Sequence, residues 1–281
     1  MFGSKLWEFC FSQLKWLLPC RIRLRLYCLL SFPKPRPSCG DVEPKLRIFR
    51  FGIPLVLKNS ERTISTEADA LRFLNKAVPH LPIPKLVDSF QLNGTTYTLM
   101  SKLPGRELEE LPELTPEKMK AVARDIISIV NDLWSIQQPS SLRGQTMVSA
   151  SGHGLPHPGF FLERLGEPQG SISECYKQVS MYWDSHSDAM KKPILEDSVV
   201  WTHMDMAMRN IMVQNGRVTG IIDWEDAGWY PRHWLLHVLR TPRSSCSGIW
   251  VRYWIFEHNF DELAEQAYQA SLSLLTCRLV L

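Results

Sequence analysis

Apolar spacing divides most of this chain into short β-type runs alternating with helix-type stripes. Between Leu46 and Leu57 two runs, R-I-F-R-F and I-P-L-V-L, are separated by Gly52 and end at Lys58. Thr66 followed by Asp69 predicts a helix N-cap with an acidic N3 residue. Ala70, Leu71, Leu74 and Val78 continue its apolar face, and Pro79–Pro84 stops it. Leu86–Leu92 and Thr95–Ser101 flank Asn93-Gly94, a pair that readily takes positive φ, so a β-hairpin is expected. Pro104-Gly105 is a break. Thr115-Pro116 then opens a long helix, with Thr as N-cap and Pro at N1. Its stripe of Met119, Val122, Ile126, Ile129, Leu133 and Ile136 predicts a core helix without chemistry. Pro139–Gly170 is loop-like and carries His153 and His157, read as surface or substrate-rim positions, and Ser173–Ser187 reads as helical. Asn210–Gln214 and Arg217–Ile222 flank Asn215-Gly216, predicting another hairpin. Pro231 opens a helical segment, and Gly248–Leu281 is mostly helical with Trp250, Trp254 and Phe260 in its core. There are no internal repeats.

The first stretch differs from the rest. Arg21–Leu26 alternates strictly, as a half-buried strand does, and Leu6–Leu18 is apolar and aromatic. No run approaches the ~20 apolar residues of a membrane span. Lys5, Lys15, Arg21, Arg23, Arg25, Lys34 and Arg36 face only Glu8. We read this stretch as an extension packed on the domain. The alternatives are a mitochondrial presequence or an anchor making weak membrane-surface contact through residues 1–30. The Pro-rich Phe32–Cys39 is expected to be a linker.

At 281 residues and 44% hydrophobic content the chain can build a substantial core. Its formal charge of +3 is too small to argue for nucleic acid, and none is expected as a partner. Seven cysteines without C-x-x-C spacing argue against a disulfide framework and for a reducing, cytoplasmic interior.

The chemistry concentrates in V-V-W-T-H-M-D-M-A-M-R-N-I-M-V-Q-N-G-R-V-T-G-I-I-D-W-E, residues 199–225. The hairpin over Asn215-Gly216 carries Asn210 on one strand and Asp223 just beyond the other. Converging amide and carboxylate oxygens suit a hard divalent cation such as Mg²⁺. Asp205 is then a carboxylate beside a metal site, free to orient or deprotonate a hydroxyl. Upstream, Lys58 alone reads as a solvated strand exit, and Glu67 as a first-turn acid favoured by the helix dipole. A strand lysine followed by a helix glutamate is also how a phosphate-gripping ion pair is built. A metallohydrolase built on His203-x-Asp205 fails for want of further histidines nearby. The H-R-D, D-F-G and A-P-E set of protein kinases is not present as such.

Together these pieces resemble the aminoglycoside phosphotransferase and choline kinase-like family, in particular its small-molecule kinase-like members from filamentous fungi. The resemblance rests on T-H-M-D-M-A-M-R-N-I-M-V with I-I-D-W-E-D-A-G-W-Y-P-R-H-W, on T-E-A-D-A-L-R-F-L with I-P-I-P-K-L, and on Y-T-L-M-S-K-L-P-G. It implies an α+β, two-lobed, protein-kinase-like fold: an extension and linker over 1–38, a β-rich N-lobe over 39–103, and a mainly helical C-lobe over 104–281. It also implies ATP, Mg²⁺ and a small-molecule hydroxyl substrate. Lys58 would contact the α- and β-phosphates and Glu67 would hold it. The backbone around Met100, Ser101 and Lys102 would meet adenine. Asp205 would be the catalytic base or orienter, His203 would brace its loop, and Asn210 and Asp223 would bind Mg²⁺. The competing reading is a degenerate relative that binds nucleotide or a partner without turnover.

Three departures stand out. Met204 and Met208 replace the family's usual Gly and Pro, so a bulkier side chain is expected to face the acceptor region. No Gly-rich loop precedes Lys58, and Leu235 stands where relatives carry an acid, so a buried acidic contact is expected to be missing. Asp226, Glu257, Asp261 and Glu262 read as solvated surface charges, or else as an acidic pocket for an amine substrate.

Overall fold

The computed structural model describes residues 2–34, 45–61, 64–155, 167–180, 183–240 and 258–274. His157, Trp250, Trp254 and Glu257 lie outside them, as does most of the expected linker.

The chain opens with helices α1 (Phe2–Leu17) and α2 (Cys20–Leu29). Then come β1 (Ser31–Pro33), β2 (Leu46–Phe49), β3 (Leu55–Ser60), α3 (Thr66–Ala77), β4 (Leu86–Leu92) and β5 (Thr95–Ser101). The five strands form one antiparallel sheet in the order β1-β2-β3-β5-β4. The sheet thus includes a strand from residues 31–33, ahead of residue 39.

The strand expected over Arg21–Leu26 is helix α2 instead. Its inward residues are Arg23 and Tyr27, four apart, as the helical period requires. Arg23 Nη1 lies 2.5 Å from Asp88 Oδ1, and the Tyr27 hydroxyl donates to Asp88 Oδ2 at 2.8 Å. An arginine faces inward here because a distant carboxylate accepts it, a partner that local alternation cannot reveal.

Period-two burial gives the sheet two working faces. Leu55 and Leu57 of β3 pack with Phe49, Leu99, Phe11 and Tyr27 under α1 and α2. Val56 and Lys58 point the other way, opposite Met100 and Thr98 of β5. Helix α3 is sequentially part of this region, but Ala70, Leu71 and Leu74 belong to the main core beyond it. The Phe73 ring meets Trp201 tilted at 4.7 Å and Trp229 edge-on at 6.0 Å.

Thr66 does not cap α3 through its side chain, as its spacing to Asp69 suggested. Ser65 holds the cap position without a side-chain bond, and the Thr66 hydroxyl donates to the Glu225 carbonyl at 2.7 Å. The tertiary acceptor outcompetes the local one. Asn75 fixes the other end, donating to the Pro84 carbonyl and accepting from the Leu86 amide.

Beyond β5 lie β6 (Arg106–Glu107), α4 (Pro116–Trp134), α5 (Ile172–Val179), α6 (Asp188–Leu195) and β7 (Val199–His203). They are followed by β8 (Ile211–Gln214), β9 (Arg217–Ile221), β10 (Ala227–Pro231), α7 (Trp234–Arg240) and α8 (Glu262–Leu274). Thr115 caps α4 as expected, accepting from the Lys118 amide, and Met119, Val122, Ile126, Ile129 and Leu133 are all buried. Strand β7 pairs with β10, and β8 joins β6 to β9. Both Asn-Gly turns carry two positive φ values, 52° and 79° at Asn93-Gly94, 56° and 75° at Asn215-Gly216, which matches type I′ hairpins. Gly105 (φ +99°) passes so close to β8 that a Cβ there would sit 2.5 Å from the Val213 carbonyl oxygen. A sheet-rich N-terminal part followed by a mainly helical C-terminal part is the expected α+β organisation.

Candidate active site

The site forms where the inner face of β3 meets the loops at either end of the β8–β9 hairpin. Lys58 Nζ lies 2.5 Å from Asp223 Oδ1, 3.1 Å from Glu67 Oε2 and 3.2 Å from Glu225 Oε2. One ammonium therefore serves three carboxylates. Burial works against the charge on Lys58, but Asp223, Glu67 and Glu225 outweigh it and hold its pKa well above the usual lysine value. Burial also pushes the Asp223 carboxyl up, and Lys58 more than reverses this, leaving it below the usual aspartate value. Glu67 goes the other way. Burial raises it to about 7 against the pull of Lys58, with Asp223 and Glu225 adding to the rise. Among the described residues, one ammonium is set against these three carboxylates.

Helix α3 and the segment after β9 hold this geometry jointly. The Trp224 amide donates to Glu67 Oε1 at 3.1 Å, beside the Thr66–Glu225 bond. Asp223 itself sits at φ +66°, in the left-handed region. Aspartate tolerates that conformation better than most side chains, at a modest cost. The turn carries the chain out of β9 and brings the carboxylate to Lys58.

The second half of the site is the loop after β7. His203 is buried, and its Nδ1 accepts from the Asp205 amide at 3.2 Å, so Nε2 carries the proton towards the Ile222 carbonyl at 3.0 Å. Its ring meets Trp224 edge-on at 4.7 Å. One imidazole thereby ties the Asp205 loop to the residue preceding Asp223. Asn210 Nδ2 donates to the Asp205 carbonyl and to Asp205 Oδ2, both at 2.8 Å, which turns the amide oxygen the opposite way. The Ile222 amide donates to the Asn210 carbonyl at 2.9 Å, bringing Asp223 alongside. Arg209 Nη2 reaches both Asp205 oxygens, at 2.8 and 2.7 Å.

Lys58, Glu67, His203, Asp205, Asn210 and Asp223 thus come together in one place. Met100, Ser101 and Lys102 line the end of β5, where the Ser101 amide donates to the Lys85 carbonyl and the Lys102 amide to that of Pro54. Those two donors are engaged within the sheet, so a further backbone donor for a base edge would have to come from beyond Lys102. Glu225 and Arg209 were not singled out by spacing, although each had a signal. Glu225 ends the I-D-W-E run, and Arg209 lies four residues after Asp205.

Met204, Met206 and Met208 are all buried in the main core, because an apolar loop lining there gains more than exposure would. The corner around Leu235 is not without an acid. Buried Asp197 accepts from Arg232 Nε at 2.9 Å and from the His233 amide and Nδ1, at 2.9 and 2.6 Å. His153 is exposed on its loop. Asp261 is paired with Arg232 at 2.8 Å.

A magnesium ion fits this donor set. Among the described residues no group of three or more His, Cys, Asp or Glu side chains is arranged to hold a metal by itself. Mg²⁺ commonly uses one or two protein oxygens and completes its shell with water and phosphate. The Asp223 carboxylate and the Asn210 amide oxygen, turned away from Asp205, match that habit.

The model of the phosphotransferase enzyme family matches residues 46–265. No curated protein matches the chain. Among solved structures, the gentamicin complex of APH(2")-IIa is 17% identical with a TM-score of 0.56, covering 91% of this chain and 86% of that one. A thermostable variant of aminoglycoside phosphotransferase APH(4)-Ia, in ternary complex with ADP and hygromycin B, is 17% identical with a TM-score of 0.59, covering 89% and 86%. ADP-bound APH(2'')-Ib is 19% identical with a TM-score of 0.56, covering 91% and 87%. The fold is that of these protein-kinase-like enzymes. With most of its length matched, from β2 through the first turn of α8, this chain belongs to the phosphotransferase enzyme family.

Proposed function

We propose that the protein is an ATP- and Mg²⁺-dependent phosphotransferase that moves the γ-phosphoryl group to a hydroxyl of a small molecule. The observation that carries this reading is the pair of joined half-sites. Lys58 is gripped by Glu67 from α3 and by Asp223 from the far side, and His203 links Asp223's segment to the loop bearing Asp205. Phosphoryl transfer asks a protein mainly for position and charge neutralisation. In this reading Lys58 leaves its carboxylates to meet the α- and β-phosphates, and Glu67 keeps it in reach. Asn210 and Asp223 would hold Mg²⁺, which supplies neutralisation of the phosphate oxygens. Asp205 accepts the hydrogen bond of the incoming hydroxyl and orients its oxygen for in-line attack. The backbone around Met100–Lys102 meets the adenine, with the amide donor coming from just beyond Lys102.

A second reading, nucleotide or partner binding without turnover, draws on one feature. Arg209 already spans both Asp205 oxygens, the atoms an acceptor hydroxyl needs. One experiment separates the two. ATP consumption is measured against a panel of small alcohols and amino-alcohols, for wild type and Asp205→Ala. Acceptor-dependent turnover that vanishes in the variant is expected for the kinase. Mg²⁺-dependent ATP binding with no phosphorylated product from any acceptor would favour the non-catalytic reading.

A further inference from the structure

Helix α1 is apolar on both sides. Phe11 is turned inward, 5.4 Å from the Phe49 ring and 5.8 Å from Tyr27. The opposite side presents Leu6, Phe9, Trp16 and Leu17, exposed by 61%, 63%, 78% and 71%. These fall at helical spacing on one stripe. A helix that is hydrophobic all round belongs in a buried setting, and a contiguous exposed apolar patch marks a contact surface. Helix α2 also exposes apolar side chains, with Arg23 turned in and Ile22 and Leu29 turned out.

Charge identifies what covers it. Of the basic residues at this end, Arg23 is taken by Asp88 and Lys34 by Glu107. Lys5, Lys15, Arg21 and Arg25 stay exposed around the stripe. Glu8 is the only acid before Asp41, and it is partly buried. Lys15 Nζ lies 5.3 Å from the Trp16 ring, placing a cation beside the most exposed aromatic of the stripe. Two copies of this face would bring like charges together. A nucleic acid would meet aliphatic side chains at its centre instead of hydrogen-bond donors. An aliphatic and aromatic ridge rimmed by lysine and arginine suits the headgroup–acyl boundary of an anionic bilayer.

We propose that the outer face of α1 and α2 docks the protein onto an anionic membrane surface. The helices cover the face of the sheet opposite Lys58, so the candidate active site stays open to solvent while the protein is bound. Among the described residues no helix is long and apolar enough to cross a membrane, so attachment is peripheral. This does not depend on the protein being a kinase.

The test is co-sedimentation of the full chain with phosphatidylcholine vesicles, with or without phosphatidylserine. Binding to the anionic vesicles is expected to be on the order of tenfold tighter or more, to weaken in high salt, and to blue-shift tryptophan emission. Phe9→Asp combined with Trp16→Asp should abolish it without lowering the thermal midpoint, since both side chains are exposed. Arg21→Glu combined with Arg25→Glu should remove the preference for phosphatidylserine, and it keeps the test decisive if the first variant folds poorly. Failure to bind anionic vesicles at low salt would overturn the proposal, as would equal binding to both compositions. A stable dimer in light scattering that Phe9→Asp with Trp16→Asp converts to monomer would also overturn it, by assigning the stripe to a second copy.

Discussion

The N-terminal sheet has a buried ion cluster on each of its faces, and they are built differently. Behind it, Arg23 and Asp88 form a one-to-one pair, with side chains 7% and 2% exposed and the Tyr27 hydroxyl as a third partner. In front, Lys58 stands among Glu67, Asp223 and Glu225. The rear pair is balanced and closed. Among the described residues the front cluster sets three carboxylates against one ammonium, and its side chains are still partly open to solvent. A balanced buried pair mostly fixes geometry, because its attraction is largely spent on desolvation. An unbalanced one keeps capacity for an added cation. Two ionic features that look alike as contacts therefore differ in what each can do, the first holding α2 to β4 and the second holding a site.

That contrast predicts opposite outcomes for removing one carboxylate. Asp223→Ala should lower phosphotransferase turnover by roughly 10³–10⁵, the scale on which phosphoryl-transfer charge stabilisers act. It should scarcely move the urea midpoint, because Lys58 keeps Glu67 at 3.1 Å and Glu225 at 3.2 Å. Asp88→Ala should do the reverse. Stranding Arg23 is expected to cost about 3–5 kcal/mol of stability, with turnover per folded molecule unchanged. Combining Arg23→Met with Asp88→Leu should recover much of that loss, since no lone charge stays buried. Equal stability losses from the front and rear carboxylates would erase the distinction.

Sequence reading went furthest where local rules decide. The Asn-Gly hairpins, the Thr115-Pro116 start of α4 and the stripe inside it depend on backbone conformation and helical period. The residues that meet at the candidate site were legible as a group because a motif keeps them at set spacings within and between short segments. Contacts across the chain were not. Arg23 reads as half of an alternating strand until Asp88, sixty-five residues on, takes it inward. Thr66 reads as a cap until the Glu225 carbonyl claims its hydroxyl. Asp197 supplies the acid that position 235 lacks, and nothing near it in sequence points to His233. In each case a long-range partner outcompetes a local rule, and single-chain spacing has no access to it.

The smallest predicted effect probes the charge deficit most directly. Folded Glu67 holds its proton up to about pH 7, whereas the unfolded chain releases it near the ordinary carboxyl value of 4.5. Between these values the folded state binds more protons, so this group's contribution is fully present below about pH 4.5 and is lost as pH rises to about 7. Glu67→Gln cannot titrate there. The stability of wild type relative to this variant should fall from about pH 5 to about pH 7 and level off above about pH 8. The Arg23→Met, Asp88→Leu double variant should keep the wild-type slope, because it leaves the front cluster intact. Mg²⁺ with ADP should flatten the slope, since an added cation beside Asp223 favours the ionised Glu67. Parallel wild-type and Glu67→Gln curves across the whole range would mean that folded Glu67 ionises over the same range as in the unfolded chain, with Lys58 offsetting the cost of its burial.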